Sequence, residues 1–159
     1  PSGIFREQFG FEFLPDYDEA LWTKVKKDLN RQIRELPEGY ISGSDISSKA
    51  VEISKTNILN LPSGDKVKLE TLDFREHKGL ENGVIVANPP YGIRMGNMQE
   101  LDLLYKSLGD FLKRKCKGST AFIYFGDRGF IKKTGLKPAW KKPLKTGGLD
   151  GRLVKYELF

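Results

Sequence analysis

Gly83-Val84-Ile85-Val86-Ala87-Asn88-Pro89-Pro90-Tyr91 is the stretch that decides the fold. The run from Gly83 to Ala87 reads as a buried strand bounded by turn signals. Beyond Ala87 the strand must end. Two successive prolines remove two backbone donors and fix two φ angles. Asn88, standing before a proline, is pushed toward an extended conformation. A strand that stops in this way opens on the carboxyl edge of a sheet, where open α/β sheets place their ligands. The turn offers carbonyls, one carboxamide and one aromatic ring. These groups suit a flat base with an exocyclic amine, because the amide oxygen and a proline carbonyl can accept its two N–H bonds while the ring stacks on its face.

Working outward, strands alternate with helices. Asp16 with Glu19 three residues later reads as a capping box, and Leu21, Trp22, Val25, Leu29, Ile33 and Leu36 then recur at helical spacing. Tyr40 to Gly43 reads as a short strand. Ser47 caps a second helix, and Val67 to Leu72 alternates as a strand. Beyond the proline turn, Leu101, Leu104, Tyr105, Leu108, Phe111 and Leu112 share one helical face, on which Tyr105, like Trp22 on the first helix, reads as core. Thr120 to Phe125 reads as a strand, Asp127 to Lys133 as a short helix, and Lys141 to Phe159 as two strands joined by Thr146-Gly147-Gly148. This order predicts an α/β fold with a mostly parallel sheet and an antiparallel C-terminal end.

At 159 residues the chain can build a real core. No apolar run approaches the ~20 residues that span a bilayer, and the first residues lack the basic and apolar segments of a signal peptide. The single cysteine, Cys116, excludes an internal disulfide and a cysteine-rich zinc site and fits a reducing, cytoplasmic setting. The net charge of +6 is carried entirely by residues 129–159, which hold eight basic and two acidic side chains. Lys141, Lys142 and Lys145 lie in this stretch with Phe130, Trp140 and Tyr156 interleaved. The mixture suits a nucleic-acid backbone, and equally a solvated lysine-rich surface. His77, between Glu76 and Lys78, reads as a loop histidine.

Two carboxylates join the turn. Asp45 ends the strand before the second helix, where an acidic residue can accept bonds from ribose hydroxyls. Asp73 ends the next strand, where it can accept a bond from an adenine amine beneath Phe74. Asp45, Asp73 and Asn88 therefore each follow a strand, in the order ribose, adenine, reacting base.

This order resembles the Rossmann-like class I methyltransferase fold. Phe9-Gly10-Phe11-Glu12, Leu21-Trp22, Gly43-Ser44-Asp45, Asn88-Pro89-Pro90-Tyr91-Gly92 with Arg94 and Gly96, and Leu149-Asp150-Gly151-Arg152-Leu153 resemble the THUMP-associated RNA guanosine-N2 methyltransferases. The resemblance covers nearly the whole chain. It implies S-adenosyl-L-methionine as cofactor, held by Asp45, Ile46, Asp73 and Phe74. It implies catalysis by Asn88, Pro89, Pro90 and Tyr91 without a metal, since the sulfonium is itself the electrophile. It also implies an rRNA or tRNA substrate. Arg94, just after the turn, reads equally as a phosphate contact or as the partner of a nearby carboxylate, and the basic stretch offers Lys141, Lys142 and Lys145 as nucleic-acid contacts. The chemistry of the turn alone equally permits adenine N6 or a glutamine amide.

One departure is visible. The family's first strand and glycine-rich cofactor loop have no counterpart here, nor has its THUMP domain. The resemblance thus implies that residues 1–159 are a partial catalytic domain. It places the missing strand between those ending at Asp45 and Asn88, so that the remaining sheet is either completed from elsewhere or rearranged. A nucleic-acid-binding segment without turnover is the competing reading.

Overall fold

The computed structural model describes residues 6–91, 98–146 and 148–159. They divide into two units, Pro1–Thr71 and Leu72–Phe159.

The first unit contains α1 (Glu19–Asn30), β1 (Ser42–Asp45), α2 (Ser48–Leu59) and β2 (Lys68–Thr71). The cap of α1 is Asp18, whose carboxylate accepts the Leu21 N–H at 2.9 Å. The expected cap, Asp16, is instead held in a turn closed by a 3.1 Å bond from the Tyr17 N–H to the Leu14 carbonyl. The helix also stops short of Leu36, because bonds from Gln32 to Leu29 and from Ile33 to Asn30 tighten the chain after its last turn. Trp22 is half-buried beneath the aromatic opening segment, with its ring edge-on to Phe11 at 4.9 Å and to Phe9 at 5.5 Å. Ser47 caps α2 as expected, accepting the Ala50 N–H at 3.2 Å. β1 and β2 pair in parallel from Ser42↔Lys68 to Asp45↔Thr71, which moves the first strand two residues beyond its expected position at Tyr40 to Gly43.

The second unit contains β3 (Val84–Ala87), α3 (Met98–Lys115), β4 (Thr120–Phe125), α4 (Gly129–Lys133), β5 (Trp140–Thr146) and β6 (Leu149–Glu157). Its strand order is β3-β4-β6-β5. β3 runs parallel to β4, and β6 runs antiparallel to both β4 and β5. One core holds the unit together. Leu101, Tyr105, Leu108 and Leu112 on α3 and Phe130 and Ile131 on α4 cluster with Ala121, Ile123, Phe125, Val154 and Tyr156 of the sheet. The alternation along β4 is complete: Ala121, Ile123 and Phe125 are fully buried, and their neighbours Phe122 and Tyr124 lie half-exposed on the other face.

β3 corrects the sequence expectation of a buried strand. Ile85 and Ala87 pack against the core, but Val84 and Val86 are 64% and 78% exposed. The residues alternate between faces, and the core covers only one of them.

The strand pairs make a Rossmann-like class I fold, parallel first and antiparallel at the C-terminal end. They form two sheets rather than one. Among the described residues β1 pairs only with β2, and β3 only with β4. No helix among the described residues is long and apolar enough to cross a membrane.

This burial pattern predicts unequal costs for two substitutions. Leu112→Ala, at a fully buried site, is expected to destabilise the chain by about 2–5 kcal/mol in urea unfolding. Val86→Thr, on the exposed face, is expected to change stability by about 0.5 kcal/mol or less. Equal losses at the two sites would contradict the assignment of faces.

Candidate active site

The proline turn leaves β3 where the pairing of Ala87 with Ile123 ends the parallel ladder. Asn88 is exposed, Pro89 half-buried, Pro90 exposed and Tyr91 half-buried. Among the described residues the Asn88 carboxamide has no hydrogen-bond partner, so its oxygen and amine remain available at the sheet's edge. The Pro90 carbonyl is occupied, accepting the Tyr105 hydroxyl of α3 at 3.1 Å. Burial, and secondarily the Asp127 carboxylate, raise the Tyr105 phenol well above its ordinary range, which keeps the proton on the donor.

Tyr91 is seated on one glycine and against a second tyrosine, which lies on another glycine. A Cβ on Gly126, just beyond β4, would lie 2.2 Å from the Tyr91 ring. A Cβ on Gly151 of β6 would lie 2.2 Å from the Tyr124 hydroxyl. The two rings meet edge-on, 5.7 Å apart at 76°. Only residues without side chains let both rings lie this close to the backbone. Tyr105, Tyr124, Gly126 and Gly151 were not singled out as site residues from the sequence. The period-two pattern of β4, which sets Phe122 and Tyr124 opposite the buried Ala121, Ile123 and Phe125, was the available signal for Tyr124.

The cofactor candidates lie in different units. In the first unit, Asp45 ends β1 and one carboxylate oxygen accepts the Ser47 N–H at 2.8 Å. Its other oxygen has no partner among the described residues, which suits a ribose hydroxyl, and the neighbouring Ile46 side chain is 70% exposed. In the second unit, Asp73 is already engaged. Arg75 donates Nε to its two oxygens at 2.9 and 3.0 Å, adds a contact from Nη2, and donates its backbone N–H at 2.9 Å. These bonds hold the Asp73 carboxyl below the usual aspartate range. An adenine amine reaches Asp73 only where the exposed Arg75 side chain yields an oxygen. Phe74 is half-buried, packed edge-on against Phe111 of α3 at 5.7 Å. Asp45 therefore keeps one carboxylate oxygen without a partner among the described residues, whereas both oxygens of Asp73 accept from Arg75.

The basic candidates divide. Arg94 lies outside the described residues. Lys141, Lys142 and Lys145 are all exposed on β5, which pairs only with β6 among the described strands. They do not share one face. Lys142 lies over Trp140, 4.9 Å from the ring centroid, and Lys141 and Lys145 alternate to the opposite side. Lysines and Pro143 on such a strand also discourage pairing with another chain. His77, expected in a loop, is tied down there. Its ring accepts the Gly79 N–H at 2.9 Å and its carbonyl accepts Lys115 Nζ at 2.9 Å.

A parallel ladder that ends in an exposed asparagine and a proline turn, together with an antiparallel C-terminal pair, defines a class I methyltransferase domain. Residues 1–155 match the family described as "RMKL-like, methyltransferase domain", and the chain belongs to that family. It is 32% identical over 158 residues to a candidate RNA methyltransferase of Synechocystis, covering 99% of this chain and 41% of that protein. It is 29% identical to the ribosomal RNA large subunit methyltransferase K/L of Marinobacter nauticus, covering 98% of this chain and 22% of that one. Among solved structures, SMU.472, a candidate methyltransferase in complex with SAH, superposes with a TM-score of 0.78 at 33% identity, covering 98% of this chain and 41% of its own. The chain thus spans well under half the length of these relatives.

The Arg75–Asp73 pair predicts a titration. The folded carboxyl titrates below its unfolded value, so its contribution to stability is complete above the ordinary aspartate range. That contribution is lost as pH falls through the lowered folded value. Arg75→Leu is expected to return the Asp73 titration, tracked by NMR of the carboxyl carbon, toward the ordinary range. An unmoved midpoint would remove Arg75 as the cause.

Proposed function

We propose that this chain carries the acceptor side of an S-adenosylmethionine-dependent RNA methyltransferase that modifies an exocyclic amine, guanosine N2 of rRNA or tRNA. The observation that carries the reading is the exposed Asn88 carboxamide, unpartnered among the described residues, at the end of a parallel ladder and close in sequence to a tyrosine seated on a glycine. Kinship with proteins named for ribosomal RNA methylation supports the choice of RNA. The SAH in the SMU.472 complex supports the cofactor.

The chemistry comes from the groups that the turn offers. An exocyclic amine is a poor nucleophile because its lone pair is delocalised into the ring. The Asn88 oxygen and the Pro89 carbonyl accept its two protons and direct that lone pair outward, and Tyr91 stacks on the base. The cofactor supplies an electrophilic methyl group on a sulfonium, and holding the amine in line with it lowers the barrier by positioning. A base inside a helix cannot reach such a turn, so the target nucleotide is unpaired or flipped out. Lys141, Lys142 and Lys145, with Arg94, serve the RNA backbone.

Residues 1–159 act as part of a larger catalytic domain. Among the described residues β1 pairs only with β2 and β3 only with β4, which supports completion of each sheet edge by further residues of the protein. The cell compartment is the cytoplasm, where a buried, reduced Cys116 and an RNA substrate are compatible.

Two measurements test this reading. In the whole protein, Asn88→Ala is expected to lower labelled methyl transfer to RNA by about 100-fold or more, by analogy with removing one oriented group from a transition-state site. Full activity in that variant would remove Asn88 from catalysis. Replacing Lys141, Lys142 and Lys145 by alanine is expected to reduce the slope of log affinity against log salt by about 2, from ~0.7 per lost phosphate contact on single-stranded RNA. An unchanged slope would leave these lysines as edge protection only.

A further inference from the structure

We infer that Tyr105 is a positioning residue for methyl transfer, its hydroxyl locking the proline turn so that Asn88 and the Pro89 carbonyl, and not Pro90, face the acceptor amine. The inference rests on the proposed function and adds to it a residue on a different element, the helix α3.

The geometry is specific. Tyr105 is fully buried on α3, and its ring is stacked against Phe130 at 4.5 Å and 11° and against Phe125 at 5.4 Å and 26°. The ring is therefore fixed by the core, and only its hydroxyl projects to the site. That hydroxyl donates to the Pro90 carbonyl at 3.1 Å. A Pro-Pro segment has no N–H of its own with which to pin itself, so an outside donor is the means available for fixing its carbonyls. With the Pro90 carbonyl occupied, the Pro89 carbonyl and the Asn88 amide oxygen stay without a partner among the described residues and can match the two protons of an exocyclic amine. Phe125 and Gly126 link the two ends of this arrangement, because Phe125 stacks on Tyr105 and the next residue supports the Tyr91 ring.

A packing role alone would need only the ring, and Tyr105→Phe separates the two. This variant keeps the stacking surface and removes the donor. In the whole protein it is expected to keep its fold, lower kcat for methyl transfer about tenfold and leave the KM for RNA within about twofold. It should also shift the Asn88 carboxamide and Tyr91 ring signals in NMR spectra. Leu112→Ala is the control, losing more stability while keeping kcat. The inference is overturned if Tyr105→Phe transfers methyl groups at the parental rate, if its loss merely tracks stability alongside Leu112→Ala, or if the Asn88 and Tyr91 signals do not move. Should the phenylalanine variant not fold, 3-fluorotyrosine at position 105 keeps the ring and makes the hydroxyl a stronger donor. The same signals then move if the turn is held from Tyr105 and stay in place if it is not. If the parent protein methylates no RNA, the proposed function fails, and the NMR signals still decide whether Tyr105 fixes the turn.

Discussion

The packing of α3 against the four-stranded sheet is the interaction on which the rest depends. It buries Tyr105 and Leu112 completely against Ile123, Phe125 and Tyr156. Such burial is the main favourable term in folding, and the stacked aromatic pairs add about 1 kcal/mol each. The same packing sets the position of β3, because β3 joins the sheet only through β4 among the described strands. The loop before β3 is fastened to the end of the same helix. Leu80 donates to the Lys115 carbonyl at 3.1 Å, and Lys115 Nζ reaches the carbonyls of Arg75 and His77. Both approaches to the proline turn are therefore tied to one helix.

This arrangement explains why a turn lacking backbone donors can be a precise site. The prolines restrict the backbone without anchoring it. The anchoring comes from Tyr105 on one side and from the contact of Tyr91 with Gly126 on the other. Neither contact consumes the Asn88 carboxamide. Rigidity and an unspent polar group coexist because different residues supply them.

The charge distribution divides the labour differently. The second unit carries the basic excess, but its lysines on β5 alternate between faces and do not form one patch. Two aspartates of this unit are paired with arginines. Arg75 binds Asp73, and Arg152 binds Asp150 at 2.6 Å. Both carboxyls are held below the ordinary aspartate range by these guanidinium bonds, so both stay ionised at neutral pH and neither can serve as a general acid there. Positioning, rather than proton transfer from a shifted carboxyl, is the chemistry these groups can support.

Much of the architecture was legible from local pattern. Thr120 to Phe125 is a strand with the expected limits, and Ser47 caps its helix. The apolar face from Leu101 to Leu112 faces the core, and the Asn-Pro-Pro-Tyr turn leaves a parallel strand. Each of these arises from residue periodicity or from what proline forbids, both of which act within a few residues. The features that were not legible depend on partners that only the folded chain brings together. The cap moved from Asp16 to Asp18 because an earlier turn captured Asp16. Val84 and Val86 are exposed because the core covers a single face of β3. Asp73 is engaged because Arg75 folds back on it. The seat beneath Tyr91 arises from Gly126 just beyond the end of β4, and the bond to Pro90 comes from Tyr105 on α3. Sequence by itself determined the order of elements and the chemistry of the turn, because backbone sterics and side-chain periodicity are local. Only tertiary structure decided which groups hold the turn and which remain available, because hydrogen bonds and ring contacts form between residues that meet through folding.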